Sequence, residues 1–148
     1  MLREIAPVMT QGRIQKISQP GERVLVVEIR VPGETHRLLL SCEPQTTRLH
    51  LLSHPVSNPV RPPIFCQLLR AQLRGGRLEH IRRVEHERMV TLSVSTRGGR
   101  RTLVAELMGH KANLLLLDER GHVLGDLNGQ RELVKQPYVA PAHRRSNL

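Results

Sequence analysis

Tryptophan is missing from these 148 residues, and Phe65 and Tyr138 are the only aromatic side chains. The apolar core therefore has to be assembled almost wholly from leucine, valine and isoleucine. A single-strand binder that reads bases by stacking them on several rings is excluded, because one Phe and one Tyr make no such platform. Cysteine is equally scarce. Cys42 and Cys66 stand apart, with no second pair to complete a zinc cage or a disulfide framework, and both read as buried, reduced thiols. No signal peptide, lipidation motif or apolar run of membrane-spanning length is visible, which points to a cytoplasmic protein with no membrane partner. Enzyme signatures are absent as well: there is no Gly-rich phosphate loop, no nucleophile elbow and no carboxylate pair at a telling spacing. His50 and His54, His80 and His86, and the isolated His110 show no ligand spacing with Asp, Glu or Cys. Neither a metal nor any other cofactor is expected, and the chain reads as non-catalytic.

What is present in excess is positive charge. Lys and Arg number 23 against 13 Asp and Glu, for a net charge of +10 with His neutral. Nearly all of these cations are arginines, whose planar fork suits phosphate oxygens. Such a balance favours a polyanionic partner, since released counterions drive the association. The excess is concentrated between Arg61 and Arg101, where ten Arg face only Glu79, Glu85 and Glu87.

The chain also compares well with itself. Gly12-Arg13-Ile14, followed by Ile17, reads like Gly76-Arg77-Leu78, followed by Ile81. Arg23–Val31 matches Arg88–Thr96 in pattern, Arg37–Leu40 resembles Arg101–Val104, and Arg48–Leu52 resembles Asn113–Leu117. The offset stays near 64 or 65. Leu25, Val27, Ile29 and Val31 alternate with Val24, Val26, Glu28 and Arg30, as do Val90, Leu92 and Val94 with Thr91, Ser93 and Ser95, the mark of half-buried strands. Pro32-Gly33 and Gly98-Gly99 supply hairpin turns. The expected fold is α+β: two repeated halves (1–52 and 63–118), each a helix plus four strands. Helices are placed over 1–11, where Pro7 is awkward, and about 63–75. The two antiparallel sheets should pack as a β-sandwich with flanking helices, in one domain over 1–141. A short last strand is expected near His122–Asp126. The Pro-rich segment 53–63 reads as an extended linker. The chain from Gln136 onward reads as loose, ending in a basic tail over 142–148.

Three motifs in order then carry a resemblance. Gly12-Arg13-Ile14-Gln15-Lys16-Ile17-Ser18-Gln19-Pro20 looks like the opening motif of the NFACT N-terminal domain. Pro62-Pro63-Ile64-Phe65-Cys66-Gln67-Leu68-Leu69-Arg70, with Leu73-Arg74-Gly75, is similar to its second helix. Glu106-Leu107-Met108-Gly109, followed by Asn113-Leu114, resembles a third signature. The similarity covers residues 2 to 141. It implies a role in ribosome-associated quality control: binding tRNA and the large ribosomal subunit that carries an obstructed nascent chain. Bacterial members were once called fibronectin-binding protein A. The family usually has Asp-Arg just before its fifth strand, important for tRNA handling; this sequence has Glu87-Arg88. Full-length members continue into helical, coiled-coil and second RNA-binding segments, so the chain reads as truncated. The family's fold is similar to the N-terminal domain of formamidopyrimidine-DNA glycosylases. Their nucleophile is an N-terminal proline amine, and here Leu2 follows Met1, so that chemistry does not carry over.

The expected RNA-binding residues combine these readings. Phe65, Leu68, Leu69 and Leu73 recur at helical spacing and should face the core, leaving Arg70 and Arg74 four apart on another face, with Arg77 at the helix exit. Arg13 and Lys16 join them through the repeat. Glu87 and Arg88 form the acidic-Arg pair, and His110 lies in the loop after Met108. Arg97, Arg100 and Arg101 surround the Gly-Gly turn. A DNA-binding module of glycosylase-like fold, or a fibronectin-type protein-interaction domain, is the alternative.

Overall fold

The computed structural model describes residues 2–44, 47–56, 61–84, 88–108 and 111–141. A short helix, α1 (Leu2–Met9), precedes four strands: β1 (Arg13–Gly21), β2 (Val24–Val31), β3 (Glu34–Ser41) and β4 (Arg48–Leu52). A second helix, α2 (Ile64–Leu73), precedes five: β5 (Arg77–Val84), β6 (Met89–Thr96), β7 (Gly99–Glu106), β8 (Asn113–Leu117) and β9 (Val123–Asp126). The alternating residues of β2 and β6 do form strands, and the short last strand falls where the pattern after Gly121 put it. Helix α1 is shorter than 1–11. It contains Pro7 and is followed by Gln11 at a φ of 73°, which no helix can continue. Of the linker at 53–63, the flanks 53–56 and 61–63 carry neither helix nor strand, and 57–60 lie outside the described residues.

The expectation of two separate sheets is wrong. The strands form one nine-stranded antiparallel sheet in the order β4-β3-β2-β1-β5-β6-β7-β8-β9. The junction is β1 against β5, and two glycines permit it. A Cβ on Gly12 would lie 2.5 Å from Ile29 Cγ2 and 2.9 Å from the Met9 carbonyl oxygen. One on Gly76 would lie 2.6 Å from Val94 Cγ1 and 3.0 Å from the Leu73 oxygen. Without those atoms the two backbones meet. Ile14 N–H donates to the Gly76 carbonyl at 2.8 Å, Leu78 N–H to that of Gly12 at 2.9 Å, and Gly75 N–H to that of Ile14 at 2.7 Å. Two sheets would have left β1 and β5 as open edges with unpaired donors; joining them satisfies those groups.

The joined sheet closes over one main core. Leu25, Ile29 and Leu38 come from the first strands and Leu92, Leu103 and Leu116 from the later ones. Phe65, Cys66, Leu69 and Leu73 of α2 complete it, as their helical spacing requires. The core is aliphatic, as the dearth of aromatics demanded. Arg23 ties its far end together: its guanidinium donates to the Cys42 carbonyl at 2.9 Å, the Ala112 carbonyl at 2.8 Å and Asn128 Oδ1 at 2.9 Å. Cys42 is fully buried, so Arg23→Ala strands its carbonyl where water cannot reach, while that of Ala112 keeps only the Asn128 amide at 3.2 Å. We expect a loss of about 2–3 kcal/mol, seen as a melting temperature lower by roughly 5–10 °C in calorimetry.

The segment from Gln136 is not loose over its described part. Val123 N–H donates to the Gln136 carbonyl and Tyr138 N–H to that of Gly121, both at 2.9 Å, while the Tyr138 hydroxyl reaches Glu106 Oε2 at 2.5 Å. Residues before it explain why. Met89, Val104, Leu115, Leu117 and Val123 form a second apolar cluster apart from the main core, and Leu133 and Tyr138 pack over it. An apolar patch of that size needs a lid. The tail at 142–148 lies outside the described residues.

Both thiols are free and buried. Burial pushes the Cys42 thiol up to about 11 even though Arg23 pulls it down, and burial raises that of Cys66 too. Thiolate is the nucleophile, so iodoacetamide at pH 8 should label neither cysteine in the folded protein and both after denaturation. Mass spectrometry of the intact chain reads this directly.

Candidate nucleic-acid interface

Directly paired residues in an antiparallel sheet share a face. Ile14 pairs with Ile29 towards the core, so Arg13 and its partner Arg30 point away from it. Arg13 also stands opposite Arg77 across the β1–β5 junction. At this junction a cleft of ≈ 730 Å³ opens beside the end of α2. Arg13, Arg74, Arg77 and Arg97 line it, together with Gln72, Ser95 and the glycine backbone at 75–76, and among the described residues no carboxylate does.

Each cation arrives by a different route. Arg13 heads β1 and is held by a bond from its Nη1 to the Gly75 carbonyl at 3.0 Å. Arg74 caps α2: its N–H still donates to the Arg70 carbonyl at 3.3 Å, and its extended ψ of 131° turns the chain after it towards Gly75 and Gly76. Arg77 opens β5, and Arg97 sits at the β6–β7 turn. The Thr96 hydroxyl donates to the Gly99 carbonyl at 2.6 Å and accepts from Gly98 N–H at 3.2 Å, which fixes that turn. Arg101 then anchors it to α2, donating to Gln72 Oε1 at 2.9 Å and to the Gly98 carbonyl at 3.3 Å. Of the three arginines around the Gly-Gly turn, Arg101 is thus occupied and Arg100 is paired with Glu79 at 3.2 Å. Arg97 is left facing the cleft. Among the described residues no carboxylate pairs with Arg13, Arg74, Arg77 or Arg97.

The other expected residues lie elsewhere. Arg70 is partly buried and donates from Nε to the Ile17 carbonyl at 2.9 Å, fastening α2 to β1. Lys16 stands in register with Glu28, itself bonded to Gln15 at 2.8 Å and near Arg37 at 3.5 Å, and is half-buried there. Arg88 lines a second cavity, ≈ 420 Å³, with Arg83 and the apolar Leu49, Met89, Val90 and Leu107. Its φ of 47° is left-handed, a conformation costing an arginine about 1 kcal/mol. Its carbonyl accepts from Leu107 N–H at 3.0 Å. Glu87 and His110 lie outside the described residues. Arg77 and Arg83 are at opposite ends of β5, about 20 Å apart at roughly 3.3 Å per residue, so the expected RNA-binding residues that are described fall at separate sites. Sequence reasoning missed Arg30 and Arg83, whose roles depend on strand register. Among the described residues, no group of three His, Cys, Asp or Glu is placed to hold a metal ion, and no helix is long and apolar enough to cross a membrane.

The arrangement is that of a mostly antiparallel β domain with two helices and an arginine-lined cleft at its central strand junction. The profile of the NFACT N-terminal and middle domains matches residues 1–145, and the chain belongs to that family. Its relatives include the Rqc2 homolog RqcH of Streptococcus pneumoniae serotype 2 (strain D39), 36% identical over 155 residues that take in 95% of this chain. The Rqc2 homolog RqcH of Bacillus subtilis (strain 168) is 34% identical over 131 residues, covering 85% of the chain. The chain spans 28% and 23% of the lengths of these two proteins. Among solved structures, the N-terminal domain of the fibronectin-binding protein PavA from Streptococcus pneumoniae superposes with a TM-score of 0.86 at 37% identity, over 95% of this chain and 58% of that one.

Proposed function

We propose that this domain docks RNA in ribosome-associated quality control, with tRNA and the large ribosomal subunit as its partners. Membership of the NFACT family, and relatives named as Rqc2 homologs, support this process. One observation carries the docking role: four arginines from separate elements converge on a cleft with no carboxylate among its described lining residues. A cation cluster without counter-charges raises the local concentration of a polyanion and gains from counterion release. The lack of stacking rings fits contact with phosphates over reading of bases; Phe65 is in the core and Tyr138 is engaged with Glu106. The domain would position RNA in the cytosol and leave bond chemistry to the ribosome. The Arg83–Arg88 cavity, with Glu87 beside it in sequence, is the second contact.

Binding of the purified chain to tRNA, large subunits and duplex DNA across a salt series tests this reading. The expected result is preference for tRNA or subunits over duplex DNA at matched salt. Equal affinity for all three polyanions would reduce the charge to a generic property. Tight binding to fibronectin that ignores ionic strength would replace RNA with a protein partner.

A further inference from the structure

Strand register extends the cleft into something longer. Arg30 on β2 pairs with Arg13 on β1, Arg13 with Arg77 on β5, Arg77 with Ser95 on β6, and Ser95 with Arg100 on β7. Paired residues share a face, so four arginines and one serine form a single row across five adjacent strands, on the side away from the main core. All four arginines are exposed. At about 4.8 Å between strands the row is roughly 19 Å long.

Like charges directly opposite one another destabilise a sheet, and here three arginines stand side by side on β2, β1 and β5. Among the described residues no carboxylate pairs with them. Arg30 donates from Nη1 to the Thr35 hydroxyl at 3.0 Å and Arg13 to the Gly75 carbonyl, both neutral acceptors that hold the side chains without cancelling their charge. Nearby carboxylates are committed elsewhere: Glu34 to His36, Glu28 to Gln15 and Arg37, and Glu79 to Arg100 at the row's end. Arg30, Arg13 and Arg77 are thus a line of cations without a carboxylate partner among the described residues, and Arg100 extends that line while paired with Glu79.

We infer that the row is the track for one RNA strand crossing the sheet at right angles to its β-strands, its phosphates answered by Arg30, Arg13 and Arg77 in turn and by Arg100 where a phosphate displaces Glu79. This rests on the RNA-docking reading and specifies what the cleft belongs to. At roughly 19 Å the row is long enough to meet several phosphates of one strand, and the cleft is its middle. No aromatic ring lies along it, so bases are not read there and recognition is independent of sequence. Ser95 supplies a neutral hydroxyl between Arg77 and Arg100.

The test uses fluorescence anisotropy with labelled single-stranded RNAs of two unrelated sequences, measured as affinity against salt, and inorganic pyrophosphate as a competitor. Arg30→Gln and Arg100→Gln should each weaken both RNAs severalfold and reduce the slope of log affinity on log salt by about 1. Arg30→Lys should keep the slope, and Arg48→Gln, on the outer strand β4, should change neither quantity. If Arg30→Gln and Arg100→Gln bind like wild type while Arg74→Glu with Arg77→Glu does not, the cleft alone holds RNA: the track is overturned and the docking reading survives. If neither set matters, both fall. Pyrophosphate that displaces RNA at equal phosphate concentration would mean a free-anion site and would also overturn the track.

Discussion

Replacing Arg74 and Arg77 together by glutamate is expected to weaken tRNA binding on the order of a hundredfold at about 0.1 M salt. The fold should survive. Both side chains are exposed, and neither has a partner in the described structure that the substitution would break. The change puts two carboxylates into a cleft that has none, opposite Arg13 and Arg97. The new acids would pair with those arginines, so the substitution removes two phosphate contacts and occupies two more. The salt dependence should therefore collapse along with the affinity, the slope of log affinity on log salt falling by about 3 to 4. The contrast with Arg70→Ala is informative. Arg70 holds the Ile17 carbonyl, so its loss should lower thermal stability while leaving the salt slope alone. A double variant that binds tRNA as tightly as wild type would remove the cleft from the interface altogether.

That contrast marks where the sequence stopped being legible. The elements could be read because each depends on local chemistry: Leu25, Val27 and Ile29 alternate with Glu28 and Arg30, and Phe65, Leu69 and Leu73 keep helical spacing. Gly12 and Gly76 were visible as matched residues, but not what their missing side chains allow. Joining β1 to β5 is a contact between residues far apart in the chain, and nothing in either strand's pattern distinguishes an edge from a seam. The same blindness separated the candidate arginines. Arg70 and Arg74 are four apart and read as one stripe, yet Arg70 is held by the Ile17 carbonyl while Arg74 lines the cleft. Arg88 read as a neighbour of the stripe until the length of β5 intervened. Arg30 was seen only as the polar position of an alternating strand, because its pairing with Arg13 is a property of register. The loose end assigned from Gln136 failed for a related reason. Its single tyrosine is a cover for Met89 and Leu115, and that patch exists only once β6 to β9 are assembled.

The seam itself carries the largest expected stability effect: Gly76→Ala should cost about 2–4 kcal/mol and lower the melting temperature by roughly 5–15 °C. The added Cβ would stand 2.6 Å from Val94 Cγ1, a methyl that can yield by rotating, but also 3.0 Å from the Leu73 oxygen and 3.1 Å from the Ser95 oxygen, which are backbone. Relief has to come from moving β5, and β5 is held here by Ile14 N–H on the Gly76 carbonyl and Leu78 N–H on that of Gly12. Gly21→Ala is the matched control. The nearest atom to its Cβ is Val24 Cγ2 at 4.0 Å and its φ is not left-handed, so stability should hold or rise slightly through a stiffer unfolded chain. The seam also sets the register that places Arg13 beside Arg77. Gly76→Ala measured well below its melting temperature, where the chain is folded, should accordingly lose RNA affinity as well, though no charge has been changed. Full stability in the variant would show that β1 and β5 are not held as closely as these contacts require, and the arginine row built on their pairing would go with them. Lowered stability with unchanged RNA affinity would separate the two, leaving the seam structural and placing the RNA elsewhere on the basic surface.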